Sequence, residues 1–213
     1  MKNLTRIAAA AALALFGISA HAAPIITFDN AAASDDSNLT TSVAGATVIN
    51  FNDGIMPANY SGDGGVVSGS VGGRYATPAG NTTSYLSVAI DVPVGEQEII
   101  AGGTFDYFGL YWGSIDNYNT LSFYNGANQV LSLTGADVIA AGVGFGNQIA
   151  AGANRYVNIF LNGDTYDRIV ISTTQFAFES DNHAFAQVPE PGTLALLGLG
   201  LLGAGAARRR RSR

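Results

Sequence analysis

Residues 104–133 read TFDYFGLYWGSIDNYNTLSFYNGANQVLSL, and this stretch decides the fold class. It is rich in the aromatic and β-branched residues that pleated strands favour, and the dipeptide Asn125-Gly126 interrupts it. Asn and Gly tolerate the positive φ angles of tight turns, so this dipeptide predicts a β-hairpin. The strands predicted within the stretch are Thr104–Trp112, Thr120–Tyr124 and Gln129–Leu133.

Strands of the same kind are predicted on both sides of this stretch. They are Ile25–Asp29, Thr47–Asn52, Ser84–Asp91, Glu98–Ala101, Arg155–Leu161, Asp167–Thr173 and Gln175–Glu179. Asn162-Gly163-Asp164 marks a second hairpin turn, and the body of the chain has no convincing amphipathic helix. Many short strands separated by turns predict an all-β fold, a single antiparallel β-sandwich of the jelly-roll type over residues 23–187.

Alternation along the strands predicts which side chains form the core. The predicted core residues are Val157, Ile159 and Leu161 in one strand, and Leu121, Phe123, Leu131 and Leu133 in the hairpin. The strand Thr104–Trp112 is apolar on both faces, which predicts a central strand or one with a covered outer face. The glycine-rich segment 61–80 is predicted to be a long, mobile surface loop, and 136–153 to be a short helix or a loop.

The first 22 residues have the pattern of an export signal. Lys2 and Arg6 precede an apolar run, and Ala20 and Ala22 form an A-x-A cleavage pattern around His21. This order of features predicts a helical secretory signal peptide over residues 1–22 that is cleaved after Ala22.

Residues 188–213 have a second targeting pattern. The motif Pro189-Glu190-Pro191 is followed by an apolar run at 192–207 and by a basic tail at 208–213, which includes Arg208, Arg209, Arg210 and Arg211. The 16-residue run would form a transmembrane helix about 24 Å long. The positive-inside rule predicts that the arginines stay in the cytoplasm.

This tail resembles the PEP-CTERM sorting tail of Gram-negative bacteria. The resemblance implies that the secretion machinery exports the chain, that the inner membrane anchors it transiently, and that the membrane protease exosortase cleaves it near the Pro-Glu-Pro motif. It also implies delivery to the cell surface or to the extracellular polysaccharide matrix. The body is similar to a group of exosortase-dependent surface proteins at residues 107–116, 119–124 and 176–182. That similarity offers no enzymatic activity to transfer to this chain, and it leaves the molecular role open.

The charge of the body excludes one class of ligand. Only three arginines remain there against 15 of the 16 acidic residues, a net charge of −12, because the targeting segments hold the other basic residues. A domain of this charge repels phosphate backbones, so no nucleic-acid partner is expected. The chain has no cysteine, which excludes disulfides and thiol catalysis.

Catalytic patterns are sparse in the body. His183 is its only histidine, and no Gly-x-Ser-x-Gly elbow is present, so we interpret His183 as a structural residue of the closing strand. Glycoside hydrolysis needs paired carboxylates, and Glu179 has no partner that the sequence identifies. We therefore predict a protein without enzymatic activity, and a secreted hydrolase ranks last among the alternatives.

Two ligand classes stay open. Oxygen-bearing side chains near loop positions, Asp29, Asp53, Asp181 and Asn182, are candidate calcium ligands, because Ca²⁺ prefers oxygen donors. No other cofactor is expected. The aromatic and polar residues Tyr111, Trp112, Asp116 and Tyr118 are candidates for carbohydrate binding, although a lone Trp on an apolar strand usually belongs to the core. The leading hypothesis is a non-enzymatic surface or biofilm-matrix protein, and the alternative is a carbohydrate-binding module that engages the exopolysaccharide.

Overall fold

The computed structural model describes residues 23–29 and 40–188, and this part of the chain is built almost entirely of β-strands. The strands are β1 Ile25–Phe28, β2 Thr47–Ile49, β3 Tyr60–Gly62, β4 Gly64–Val67, β5 Tyr85–Val88, β6 Gly95–Phe105, β7 Tyr107–Gly113, β8 Asn119–Asn125, β9 Asn128–Thr134, β10 Arg155–Phe160, β11 Tyr166–Thr173 and β12 Phe178–Ala186. One helical turn, α1, spans Gly135–Val138, and a 3-10 turn spans Ala151–Ala153. In the described ranges no helix is long and apolar enough to cross a membrane. The predicted signal helix and the predicted transmembrane helix lie outside these residues.

The strands form two antiparallel sheets that pack as a sandwich. The seven-stranded sheet has the order β1-β10-β7-β12-β5-β4, with β2 also paired to β12, and the five-stranded sheet has the order β3-β6-β11-β8-β9. If β5 to β12 are counted as eight successive strands, the larger sheet contains strands 1-8-3-6 and the smaller one strands 2-7-4-5. This is the double Greek-key order of a jelly roll, so the predicted fold class is confirmed.

The main core fills the space between the two sheets. Trp112 of β7 stacks on Phe178 of β12 with ring centroids 4.3 Å apart, and both are fully buried. The predicted core residues Val157, Ile159, Leu161, Leu121, Phe123 and Leu133 all belong to this core, and Leu131 packs against it. The alternation of side chains therefore predicted the inner faces of these strands correctly.

A second, smaller cluster covers the outer face of the seven-stranded sheet. It contains Tyr107, Tyr111 and Tyr156, with Val43 and Ala46 packed over them. A Cβ atom at Gly109 would lie 2.3 Å from the Tyr107 hydroxyl, so only glycine leaves room for the tyrosines. β7 is thus a central strand that is covered on both faces, as its two apolar faces predicted.

Several strands differ from the predictions, most clearly in three regions. β6 continues past the predicted end at Ala101 and reaches Phe105. A register shift against β11 accommodates residues 101–104. β3 and β4 replace part of the predicted loop 61–80. A Cβ atom at Gly64 would lie 2.4 Å from Gln97 Oε1, so this glycine permits close packing and does not signal a loop. β12 spans Phe178–Ala186, whereas the predicted strand is Gln175–Glu179. The polar residues 180–183 do not end the strand, because the fold buries them.

The register of the central strands defines two poles of the sandwich. At one pole β7 begins at Tyr107, opposite the end of β12 at Ala186; we call it the tail pole. At the other, the far pole, β7 ends at Gly113 opposite Glu179 near the start of β12. β10 runs antiparallel to β7, from Arg155 at the far pole to Phe160 at the tail pole.

Candidate functional site

A cleft with a volume of about 320 Å³ opens at the far pole. Four segments line it: the loop at Ser70–Ala76 between β4 and β5, Ser114, Asp116 and Tyr118 after β7, Gly146 and Gln148 after α1, and Phe176, Ala177 and Glu179 at the start of β12. Loops at the ends of a rigid sandwich commonly carry binding residues, because the strands fix their positions. The cleft is therefore the candidate functional site.

Glu179 is the buried carboxyl group of the cleft, with 2% of the residue exposed. Its Oε1 accepts a hydrogen bond of 2.8 Å from the Ala76 backbone N–H, and its Oε2 accepts one of 2.8 Å from the Ser114 hydroxyl. Burial raises the pKa of Glu179 to about 7, although these two hydrogen bonds favour the charged form. Glu179 thus joins three walls of the cleft through one side chain.

Asp116 is the second carboxyl group of the cleft, and it is half-buried. The Tyr118 hydroxyl lies 2.6 Å from Asp116 Oδ2 and 2.8 Å from the Phe176 carbonyl oxygen. Burial raises the pKa of Asp116, and the Tyr118 hydrogen bond opposes that change. A Cβ atom at Gly146 would lie 2.8 Å from Asp116 Oδ1, so glycine allows this loop to approach the carboxyl group.

Aromatic rings and one arginine complete the cleft. Tyr75, Tyr118 and Phe176 are half-buried and line it. Arg74 lines it as well and forms an exposed ion pair of 3.2 Å with Asp91. Flat rings beside hydrogen-bonding groups suit a ligand that has both apolar and polar faces.

The four residues predicted to bind carbohydrate have separate positions. Asp116 and Tyr118 line the cleft. Tyr111 and Trp112 are fully buried and so are not exposed for carbohydrate binding, and Trp112 belongs to the core, as a lone Trp on an apolar strand usually does. The Tyr111 hydroxyl donates to the Ala79 carbonyl, and Trp112 stacks in the main core. Both are buried because β7 is covered on its two faces.

The four predicted calcium ligands are engaged with protein groups. Asp29 accepts hydrogen bonds from Ser42, Asp53 from the Ile55 N–H, and Asp181 from Asn81 and from the backbone N–H of Asn182. Asp29 and Asp181 do not lie on neighbouring strands, because β10 and β7 separate β1 from β12. Within the described residues, no three His, Asp or Glu side chains are grouped to hold a metal. Calcium binding stays a prediction, and melting with and without EDTA tests it.

His183 lies inside the sandwich and has a structural role. Its Nδ1 is 3.0 Å from the Tyr60 hydroxyl and its Nε2 is 2.9 Å from the Ser180 hydroxyl. Burial lowers the pKa of His183 to about 3, and the residue is fully buried, so no substrate reaches this Ser–His pair. The interpretation of His183 as a residue of the closing strand is confirmed.

The start of the C-terminal tail rests against the tail pole. The Gln187 side chain donates a hydrogen bond of 2.7 Å to the Thr104 carbonyl, and the Val188 backbone N–H donates one of 2.7 Å to Asp106 Oδ1. Val188 also packs against the outer tyrosine cluster. The chain therefore leaves the sandwich at a fixed point, directly after β12.

Comparison with known proteins identifies this tail. Residues 187–211 match the family model of the PEP-CTERM protein-sorting motif. The predicted recognition is confirmed: the chain carries the sorting motif of exported proteins, which exosortase processes from a membrane-anchored precursor for the cell surface. The predicted processing residues Pro189, Glu190, Pro191 and Arg208–Arg211, and the signal-cleavage residues Ala20 and Ala22, lie outside the described residues.

The other comparisons concern the whole chain. No curated protein matches it. A solved structure that it resembles is the cleaved K2 adhesin domain of Lys-gingipain, with 13% sequence identity and a TM-score of 0.34. The match covers 67% of this chain and 100% of that domain.

Proposed function

We propose that this protein is a non-enzymatic surface protein that binds carbohydrate in the far-pole cleft after exosortase has processed its tail. The observation that carries the proposal is the cleft itself, where three aromatic rings stand beside two carboxyl groups at the pole opposite the sorting motif. We further propose that the ligand is a polysaccharide of the extracellular matrix, which would retain the processed protein outside the cell.

The position of the cleft supports display toward the exterior. β12 connects the two poles and includes Glu179 at the cleft and Ala186 beside the sorting motif. Ala186 lies seven positions after Glu179, which corresponds to at most roughly 23 Å at about 3.3 Å per residue. β1 begins at Ile25, which pairs with Phe160 at the tail pole. A chain cleaved after Ala22 would therefore begin near that same pole, and the cleft lies at the opposite pole from Ala23 and Val188.

The chemistry of the cleft favours binding over catalysis. Both oxygens of Glu179 accept hydrogen bonds from the protein, and the side chain is buried. A catalytic acid must reach the atom that it protonates. Glu179 instead holds the loop at Ala76 against Ser114, so its role is to shape the walls of the cleft.

The proposal is tested with the mature protein on a glycan array, followed by calorimetry on the best ligand. Tyr118→Ala removes a ring from the cleft and should weaken binding by about tenfold or more, since aromatic anchors dominate many binding sites. Tyr124→Ala is the matched control, because Tyr124 is also half-buried but lies on β8 toward the tail pole. Absence of binding to every glycan, or equal losses in the two variants, would overturn the proposal.

A further inference from the structure

The charges in the cleft are unevenly distributed. The charged residues that line it are Arg74, Asp116 and Glu179. Arg74 stands at the rim, with 45% of its side chain exposed, and is paired with Asp91. Among the described residues that line the inner part of the cleft, no cationic side chain lies beside the two carboxyl groups.

The two carboxyl groups differ in what they can still bind. Both oxygens of Glu179 are engaged by Ala76 and Ser114. Asp116 accepts one hydrogen bond, from Tyr118 to Oδ2, and its Oδ1 receives none from the described residues. An ionised carboxylate has about four lone-pair sites, so Asp116 keeps acceptor capacity that faces the cleft.

We propose that the carbohydrate bound in the cleft is a hexosamine with a free, protonated amine, and that Asp116 is its partner. This inference rests on the proposed carbohydrate function and names the sugar class. An ammonium group donates up to three hydrogen bonds and forms charge-assisted contacts with carboxylates. Anionic sugars are disfavoured, because the body of the chain has a net charge of −12 and no lysine.

The surroundings of Asp116 favour a sugar amine over other cations. Tyr75, Tyr118 and Phe176 present flat apolar surfaces beside the carboxyl group, and the faces of a pyranose ring can pack on them. Partial burial also penalises the charged form of Asp116, which raises its pKa, and an adjacent ammonium removes part of that penalty. Among the described residues, no three His, Asp or Glu side chains are grouped in the cleft to hold a metal ion.

The test uses the mature protein and three β-1,4-linked tetrasaccharides with the same backbone, composed of glucosamine, N-acetylglucosamine or glucose. The glucosamine tetramer should bind about tenfold tighter than the other two, as one charge-assisted contact predicts. The difference should shrink at high salt, because a half-buried contact is partly screened. Tetralysine, which also carries amines, should bind more weakly than tetraglucosamine.

Asp116→Asn should abolish the preference for glucosamine while it keeps the shape of the side chain. Asp167→Asn is the matched control, because it also removes one carboxylate but lies near Gly126, toward the tail pole. Circular dichroism and melting establish that both variants fold. If Asp116→Asn fails to fold, the wild type alone tests the inference. Its preference for the glucosamine tetramer should then shrink at high salt, and a preference that salt does not change rejects the inference.

Several outcomes would overturn the hexosamine inference. Equal binding of the three tetramers, or tighter binding of the neutral ones, rejects it and leaves the carbohydrate function standing. Tighter binding of tetralysine rejects it in favour of a basic peptide. If none of the tetramers binds, the inference fails, and the glycan array then decides separately whether the cleft binds any other carbohydrate.

Discussion

The two ends of β12 differ in what the fold does with their polar groups. At the far pole, Glu179 is buried and its hydrogen bonds assemble a cleft from segments distant in sequence. At the tail pole, Gln187 and Val188 make hydrogen bonds that fix the exit of the chain toward the sorting motif. One strand thus joins the candidate cleft to the start of the sorting motif. The difference between its ends predicts that changes at one pole leave the other unaffected.

The largest expected effect concerns the tail alone. Replacement of Pro189, Glu190 and Pro191 by alanine should block exosortase cleavage, so the protein at the cell envelope should retain its C-terminal residues. Mass spectrometry of the mature protein measures this. Pro93→Ala, in the body of the chain, is the control and should be processed normally. A fully trimmed product from the triple variant, or from cells that lack exosortase, would show that the motif is not the signal.

The next largest effect concerns the far-pole end of β12. Phe178→Ala removes the ring that stacks on Trp112 and should lower the free energy of unfolding by about 3–5 kcal/mol. Val188→Ala, at the other end, should lower the free energy of unfolding much less, because Val188 is only partly buried. Urea denaturation measures both. Equal losses would mean that the two ends contribute equally to the core.

The pH dependence of stability separates Glu179 from His183. The folded-state pKa of Glu179 is raised to about 7, so its contribution to stability is complete below about 4.5 and is lost as the pH rises through 7. The folded-state pKa of His183 is lowered to about 3, so its contribution is present above about 6.5 and is lost as the pH falls toward 3.

Raising the pH from about 5 to about 8 should therefore lower the stability of Glu179→Gln less than that of the wild type. This range covers the shift in the pKa of Glu179. Loss of stability below pH 5 should persist in this variant, because His183 is unchanged. Melting temperatures across the pH range provide the measurement. Parallel curves for the two proteins would mean that Glu179 does not remain protonated in the folded state.

The smallest effect concerns the contact that holds the tail. Asp106→Ala removes the acceptor of the Val188 N–H and should cost about 1 kcal/mol or less of stability. Because the cleft lies at the other pole, carbohydrate affinity should be unchanged, as distant sites act additively. Calorimetry with the best glycan checks this. A parallel loss of affinity would show that the two poles are coupled.

The sequence predicted the fold better than it predicted the site. Alternation identified the inner faces of β8 and β10, because one buried face imposes a two-residue period. The run Glu179–His183 gives no such signal, since buried polar side chains in it bond to residues distant in sequence. Glu179 bonds to Ser114 and Ala76, which are 65 and 103 positions away.

Asp116 and Tyr118 were predictable because the hydrogen bond between them is local. The glycine-rich segment before β5 was interpreted as a mobile loop, and no local pattern indicated that Ala76 would cap Glu179. Tyr111 shows the reverse limit, since its aromatic character suggests a binding surface, while the distant segment at Val43 and Ala46 covers the outer face of β7 on which it lies.

The place of β12 in the larger sheet has a consequence for the order of events during export. β12 is the last strand of the sandwich, yet it lies between β7 and β5. The larger sheet therefore cannot be completed before the chain up to Ala186 is available. In an exported chain we expect the sandwich to close only after this last strand has crossed the membrane.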